Sequence, residues 1–182
     1  MLSEPLDLGK VDVGQLFDYL YAFFHRDFIQ NKTLLAQSIL VDPQSQLKED
    51  GKECTFWHLT SRENMKSVKN KDTGRYEQVK VRLPDYARSS RIEWVKQIIV
   101  NHDHDDVLCF YHKETQGKKQ IRYYLWADQD DFVVILQKLG RSSSFLVTSF
   151  YIDYEGKRVE FQRRYEHYKS GNAKELMGCE WF

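Results

Sequence analysis

An α+β fold, N-terminal helices followed by a four- to five-stranded antiparallel sheet, is predicted by three features of this 182-residue chain. Apolar residues recur at helical spacing between Val11 and Ile29. A second helical pattern runs from about Tyr86 to Val100. Four β-branched and aromatic runs then follow one another between short polar turns. At 41% hydrophobic and 14% aromatic, the chain can bury a real core and fits one structural domain. Within it, residues 1–50 read as a helical region, 51–170 as an α+β core and 171–182 as a tail.

Taken in order, Val13, Leu16, Phe17, Leu20, Tyr21, Phe23, Phe24 and Phe28 make an amphipathic helix with Asp12 at its N-cap. Its aromatic stripe is core or interface. Residues 33 to 41 form a second short element stopped by Asp42-Pro43, and the polar run Gln44 to Glu53 reads as a loop. Cys54 to Thr60 reads as a strand because it is rich in β-branched and aromatic residues. A period of two would then set Cys54, Phe56, His58 and Thr60 on one face and Thr55, Trp57 and Leu59 on the other. Arg62 to Ser67 suits one helical turn or two, and Lys69 to Arg82, with Lys-Asp-Thr-Gly and few apolar residues, suits an exposed loop.

After the helix from Tyr86, strands are expected at Asp106 to Tyr111, Gln120 to Trp126, Phe132 to Leu136 and Ser144 to Ile152. Turns at Glu114 to Lys119, Asp128 to Asp131 and Leu139 to Ser143 are short enough for an antiparallel meander. Arg158 to Lys169 is either a charged helix or an extended strand.

Lys+Arg and Asp+Glu both total 27, so net charge argues for no partner. Its distribution does more. Nine bases against four acids lie between Arg62 and Arg91, while nine acids against five bases lie between Met1 and Trp57. A basic belt just after His58 suits a phosphate-bearing substrate, although solvated lysine-rich loops look the same. Three widely spaced cysteines, Cys54, Cys109 and Cys179, indicate no disulfide framework and suit a reducing, cytoplasmic setting. No run approaches 18 uncharged apolar residues, so no membrane association is expected.

His58, followed closely by Thr60 and Arg62, could move protons at neutral pH, or could equally be a core histidine whose ring nitrogens bond the backbone. Thr148 offers a hydroxyl near the end of the last strand, or is simply a β-former there. His102 and His104 among Asp103, Asp105 and Asp106 suggest a metal cluster, but all lie in one polar connection, and a solvated turn is the better reading. With no phosphate-cradling glycine loop, dinucleotide fingerprint, nucleophile elbow or HExxH, neither metal nor cofactor is expected. The remaining kit of histidine, arginines, threonine and tyrosine is the one used for RNA cleavage by the substrate's own 2′-hydroxyl.

Three stretches in this order, Thr55-Phe56-Trp57-His58-Leu59-Thr60, Arg88-Ser89-Ser90-Arg91-Ile92-Glu93-Trp94-Val95 and Phe145-Leu146-Val147-Thr148-Ser149-Phe150-Tyr151, resemble the phage and bacterial nucleases of the barnase, EndoU, colicin and RelE class. The resemblance implies helices followed by a four-stranded antiparallel sheet and a metal-independent endoribonuclease, toxin-like or phage-associated, that leaves 2′,3′-cyclic phosphate ends. It implies catalytic roles for His58 as base or acid, Arg91 (or Arg88) on the scissile phosphate, Thr148 as a donor to it, and Tyr151 stacking on a base or passing a proton. Thr60, Arg62 and Arg88 would bind substrate. The partners implied are RNA, tRNA included, lying across the sheet and gripped by segment 62–82, and a protein inhibitor or antitoxin. The chain departs from the class where Thr-Ser-Phe-Tyr replaces an alanine-tyrosine pair directly after the threonine. Two rival readings stand beside this one: a catalytically inactive RNA- or protein-binding module of phage origin, and a phage accessory protein that dimerises through its N-terminal helix.

Overall fold

The computed structural model describes residues 1–115 and 120–181. The architecture is α+β, with N-terminal helices and a mixed sheet of six strands. α1 (Leu16–Phe24) is preceded by a 3-10 turn that the Asp12 carboxylate caps, accepting from the Gly14 amide at 2.8 Å. A π-helical stretch, His25–Gln30, extends it. The predicted helix is therefore present across Val13–Gln30 with three windings. Leu16, Leu20 and Phe24 are buried, so its stripe is core.

Residues 33–41, expected as one element, make two strands, β1 (Leu34–Leu35) and β2 (Ile39–Asp42). Within the run read as a loop, β3 (Lys48–Glu49) and β4 (Lys52–Glu53) form a small hairpin. Next come α2 (Cys54–Thr60) and a long two-stranded hairpin, β5 (Ser61–Lys69) and β6 (Tyr76–Pro84). Residues 62–82, expected as helical turns and loop, are thus almost all paired strand. The second helix is broken at Ser90–Arg91 into α3 (Tyr86–Ser89) and α4 (Ile92–Val100).

The four expected meander strands are present as β7 (Val107–Lys113), β8 (Ile121–Ala127), β9 (Phe132–Lys138) and β10 (Ser143–Tyr151), antiparallel throughout. The turn expected at Glu114 to Lys119 falls partly on residues 116–119, outside the described residues. The sheet departs from an antiparallel set of four or five strands because β2 adds to β10 in parallel, with β1 beyond it, giving the order β1-β2-β10-β9-β8-β7. The long chain between β2 and β10 makes that parallel pairing possible.

Side-chain alternation in the central strands serves two cores. Leu125, Phe132, Val134 and Leu136 meet Leu20, Phe24, Val95 and Ile98 of the helices on one face. Phe110, Tyr124, Trp126, Val133 and Ile135 meet Phe161 on the other. Covering both faces explains why Phe-Val-Val-Ile-Leu runs without a polar interruption.

The charged segment Arg158 to Lys169 belongs to a helix, α5 (Glu155–Lys169), with Phe161 its one buried residue. That ring makes edge contacts with Tyr124, Trp126 and Phe150 at 5.6–6.0 Å between centroids. Arg158 ties the helix to the Asp128 carbonyl and pairs with Asp131. Residues read as a tail fold back on the sheet. Ala173, Leu176 and Cys179 are buried, and the Trp181 indole donates to the Gly140 carbonyl at 2.8 Å. Among the described residues, no helix is long and apolar enough to cross a membrane.

Candidate functional site

The Cys54–Thr60 segment is helical, not extended, so His58 does not share a face with Phe56. Thr55, Phe56, Leu59 and Thr60 sit at the i, i+1, i+4, i+5 spacing of one helical face and are fully buried, and Trp57 is nearly so. His58 is exposed. The Phe56 ring packs between Tyr21, Phe24 and Trp57, with centroids 4.9–5.6 Å away, and this tertiary packing overrides the strand propensity of the run.

A seven-residue helix leaves a large share of its backbone groups without intrahelical partners, and how its last carbonyls are satisfied builds the site. The Trp57 carbonyl takes the Ser61 hydroxyl at 2.8 Å. The Thr60 carbonyl takes the Asp85 amide at 3.0 Å and the Ser89 hydroxyl at 2.7 Å. The His58 carbonyl takes Arg88 Nη1 at 2.7 Å and Thr148 Oγ1 at 3.3 Å. Two residues singled out in the sequence, 30 and 90 positions away, thus meet at the third. Thr148 is aimed there by a bulge in β10. Leu146 pairs with Leu136 and Thr148 with Ile135, leaving Val147 unopposed.

The other singled-out residues divide. Thr60 is fully buried, and its hydroxyl bonds the Phe56 carbonyl at 2.8 Å, so it is a structural residue rather than one open to substrate. Arg91 Nη1 bonds the Ala87 carbonyl at 2.8 Å, while its guanidinium lies 5.0 Å from the Trp94 ring and 4.6 Å from the Tyr151 ring. It packs α3, α4 and β10 together. Arg62 Nε reaches Asp85 Oδ2 at 2.6 Å and leaves much of its guanidinium in solvent.

Arg62 and Arg88 open onto one cavity of about 260 Å³ at the end of β10. Tyr151, Asp153, Tyr154 and Lys157 complete its wall, with Phe150 and Asp85 behind. Asp85 is buried and takes three roles. It caps α3 through the Arg88 amide at 3.2 Å, pairs with Arg62, and faces Arg88 Nε at 3.5 Å. Burial is the largest influence on Arg88 and lowers its pKa, with Arg62 adding to the effect and Asp85 opposing it; a guanidinium stays charged regardless. Burial likewise lowers the Lys157 pKa below its usual value, and Asp153 opposes this. Cations held in such surroundings attract an anion more strongly than they would in bulk water.

Asp85, Tyr154 and Lys157 were not singled out in the sequence. Asp85 carries a readable signal, a Pro-Asp pair just before a helical run. Lys157 carries none among so many charged neighbours. At the connection considered for a metal, His104 Nδ1 lies 3.3 Å from Asp106 Oδ2 and the His102 carbonyl accepts from Cys109 Sγ at 3.3 Å. Among the described residues, no group of three or more His, Cys, Asp or Glu side chains is placed to hold a metal ion. No family model matches the chain, and no curated protein or solved structure matches it.

Proposed function

We propose that this chain is a metal-independent endoribonuclease acting at the end of α2. The observation that carries the reading is the convergence of Arg88 and Thr148 on the His58 carbonyl, beside a cavity that adds Arg62, Lys157 and Tyr151. The resemblance to the barnase, EndoU, colicin and RelE class, and the antiparallel β7–β10 meander, support it.

In the reaction, a base removes the proton of an RNA 2′-hydroxyl, whose oxygen attacks the adjacent phosphorus. The phosphorane charge is met by arginine and threonine donors, and the 5′-oxygen leaves with a proton from an acid. The products are a 2′,3′-cyclic phosphate and a free 5′-hydroxyl. His58 serves as base or acid, Arg88 and Thr148 face the phosphate, and Tyr151 lies alongside. Both sheet faces are covered by helices, so RNA runs past the α2 terminus and along the β5–β6 hairpin rather than across the sheet. Lys66, Lys69, Lys71 and Arg75 of that hairpin have no ion-pair partner among the described residues and are free to meet phosphates. A toxin-like or phage-associated role with a protein inhibitor follows from the same resemblance, and a reducing cytoplasm is the reading of the three widely spaced cysteines.

A catalytically silent RNA-binding module is the second reading. One observation favours it: the His58 imidazole has no hydrogen-bond partner among the described residues to orient it.

The test is incubation of the purified chain with total RNA and with tRNA in excess EDTA, alongside His58→Ala. Cleavage that survives chelation, leaves 2′,3′-cyclic ends and disappears in the folded variant supports the nuclease. RNA binding without cleavage by either protein supports the silent module.

A further inference from the structure

The cavity at the end of β10 contains three cations, Arg62, Arg88 and Lys157, against two carboxylates. One carboxylate, Asp85, is already engaged by both arginines and by the α3 amide. The other, Asp153, makes no hydrogen bond or ion pair among the described residues; its charge reaches Arg62 and Lys157 through space. Lys157 is the group left short. Its Nζ sits 3.8 Å from the centroid of the Phe150 ring and has no hydrogen-bond or ion-pair partner among the described residues. Burial, with Arg88 and Arg62, disfavours its charge more than Asp153 and Glu160 favour it, and a bound anion would offset that. Beside these cations, Tyr154 is 60% exposed, a flat surface at the mouth of a charged cavity.

We propose that this cavity is a nucleotide subsite, in which Lys157 and Arg62 hold the phosphate of an RNA residue flanking the cleaved bond and Tyr154 stacks on its base. The assignment rests on the ribonuclease reading for what the nucleotide belongs to, but not for its binding. The planar Arg62 guanidinium suits the phosphate oxygens, Lys157 adds a point charge in the same cavity, and stacking tolerates any base. Asp153 faces the same two cations through space and repels an incoming phosphate, so it weakens the subsite.

The experiment is titration of the full chain with adenosine monophosphate, adenosine and inorganic phosphate, followed by calorimetry and by NMR. Adenosine monophosphate is expected to bind about tenfold more tightly than inorganic phosphate, the increment of one stacked base. Adenosine is expected to bind more weakly than either. Lys157→Gln weakens adenosine monophosphate about tenfold, the loss of one charge-assisted bond, while Lys157→Arg largely restores it. Tyr154→Ala brings adenosine monophosphate down to the affinity of phosphate, and Asp153→Asn tightens both. Arg62→Gln, at an exposed side chain, serves as a second variant should Lys157→Gln fail to fold. Nucleotide binding indifferent to Lys157, Arg62 and Tyr154, adenosine binding as tightly as its monophosphate, or no binding at all each overturns the subsite. A chain that cuts no RNA yet binds nucleotide through Lys157 overturns the nuclease reading and leaves the subsite standing. One that cuts RNA without this binding does the reverse.

Discussion

Arg88 Nη1 lies 2.7 Å from the carbonyl oxygen of His58, so the residue that would face the phosphate also holds the end of α2 in place. Arg88→Ala leaves that carbonyl with one weak donor and Asp85 with one cation fewer. We expect a loss of about 3 kcal/mol in unfolding free energy, the cost of removing one partner from a largely buried charged network. Arg88→Lys keeps the charge but cannot reach Asp85 and the carbonyl together, because one ammonium replaces a planar fork. It should fold with a smaller loss yet cleave RNA slowly; denaturant unfolding read beside single-turnover cleavage separates the two effects.

His58 itself should behave oppositely. Its ring is exposed and makes no hydrogen bond among the described residues, and the bonds from Arg88 and Thr148 go to its carbonyl, which alanine retains. His58→Ala is therefore expected to change stability by no more than about 0.5 kcal/mol, as for an ordinary surface position. If the imidazole transfers a proton, cleavage should fall about 10² to 10⁴-fold. A large drop in melting temperature would mean that the side chain is structural.

How much of this was legible in the sequence depends on what decides each element. β7 to β10 were readable because both faces of the sheet are buried, and the apolar runs announce that directly. α2 was misread because Thr55, Phe56 and Trp57 favour strands in isolation, whereas contacts with Tyr21 and Phe24 make the segment a helix. The β5–β6 hairpin was missed for the opposite reason. Beyond its base it is exposed on both faces, so its alternation survives only as Val79, Val81 and Leu83 among charges. Of the residues chosen from residue types and a resemblance, Arg88, the alternative to Arg91, and Thr148 meet the His58 carbonyl, while Arg91 is tied to the Ala87 carbonyl instead. Lys157 gains its character from Phe150 and two arginines distant in sequence, which no local pattern encodes.

Tyr21 gives a pH prediction. Its hydroxyl donates to Glu53 Oε2 at 2.9 Å, and Glu53 is buried. Burial first, then the bond to Glu53 and its charge, raise the Tyr21 pKa from 10.0 to about 12. The folded state therefore holds this proton where the unfolded chain releases it, so the contribution is complete below pH 10 and is lost as pH rises towards about 12. Tyr21→Phe should cost about 1–2 kcal/mol at neutral pH, since among the described residues Glu53 then keeps only Lys48, at 3.4 Å. Its stability should also decline less than the wild type's between pH 10 and 12; parallel alkaline profiles would refute the assigned bond.

The distal β5–β6 hairpin should be separable from the fold. Beyond the Met65–Lys80 pair the strands are exposed on both faces, and the ion pairs that fasten the hairpin to the body, Lys80 and Arg82 with Glu49 and Asp50, lie at its base. Replacing residues 66–79 with an Asn-Gly turn removes Lys66, Lys69, Lys71 and Arg75 and spares those pairs. Unfolding free energy should move by no more than about 1 kcal/mol, because nothing in the core loses a contact. If the four cations meet phosphates, RNA affinity should drop and the slope of log K against log salt should flatten by about 2 to 3, at roughly 0.7 for each single-stranded contact. An unchanged slope with a folded core would show that RNA does not run along the hairpin, and would confine its path to the end of α2 and the cavity beside it.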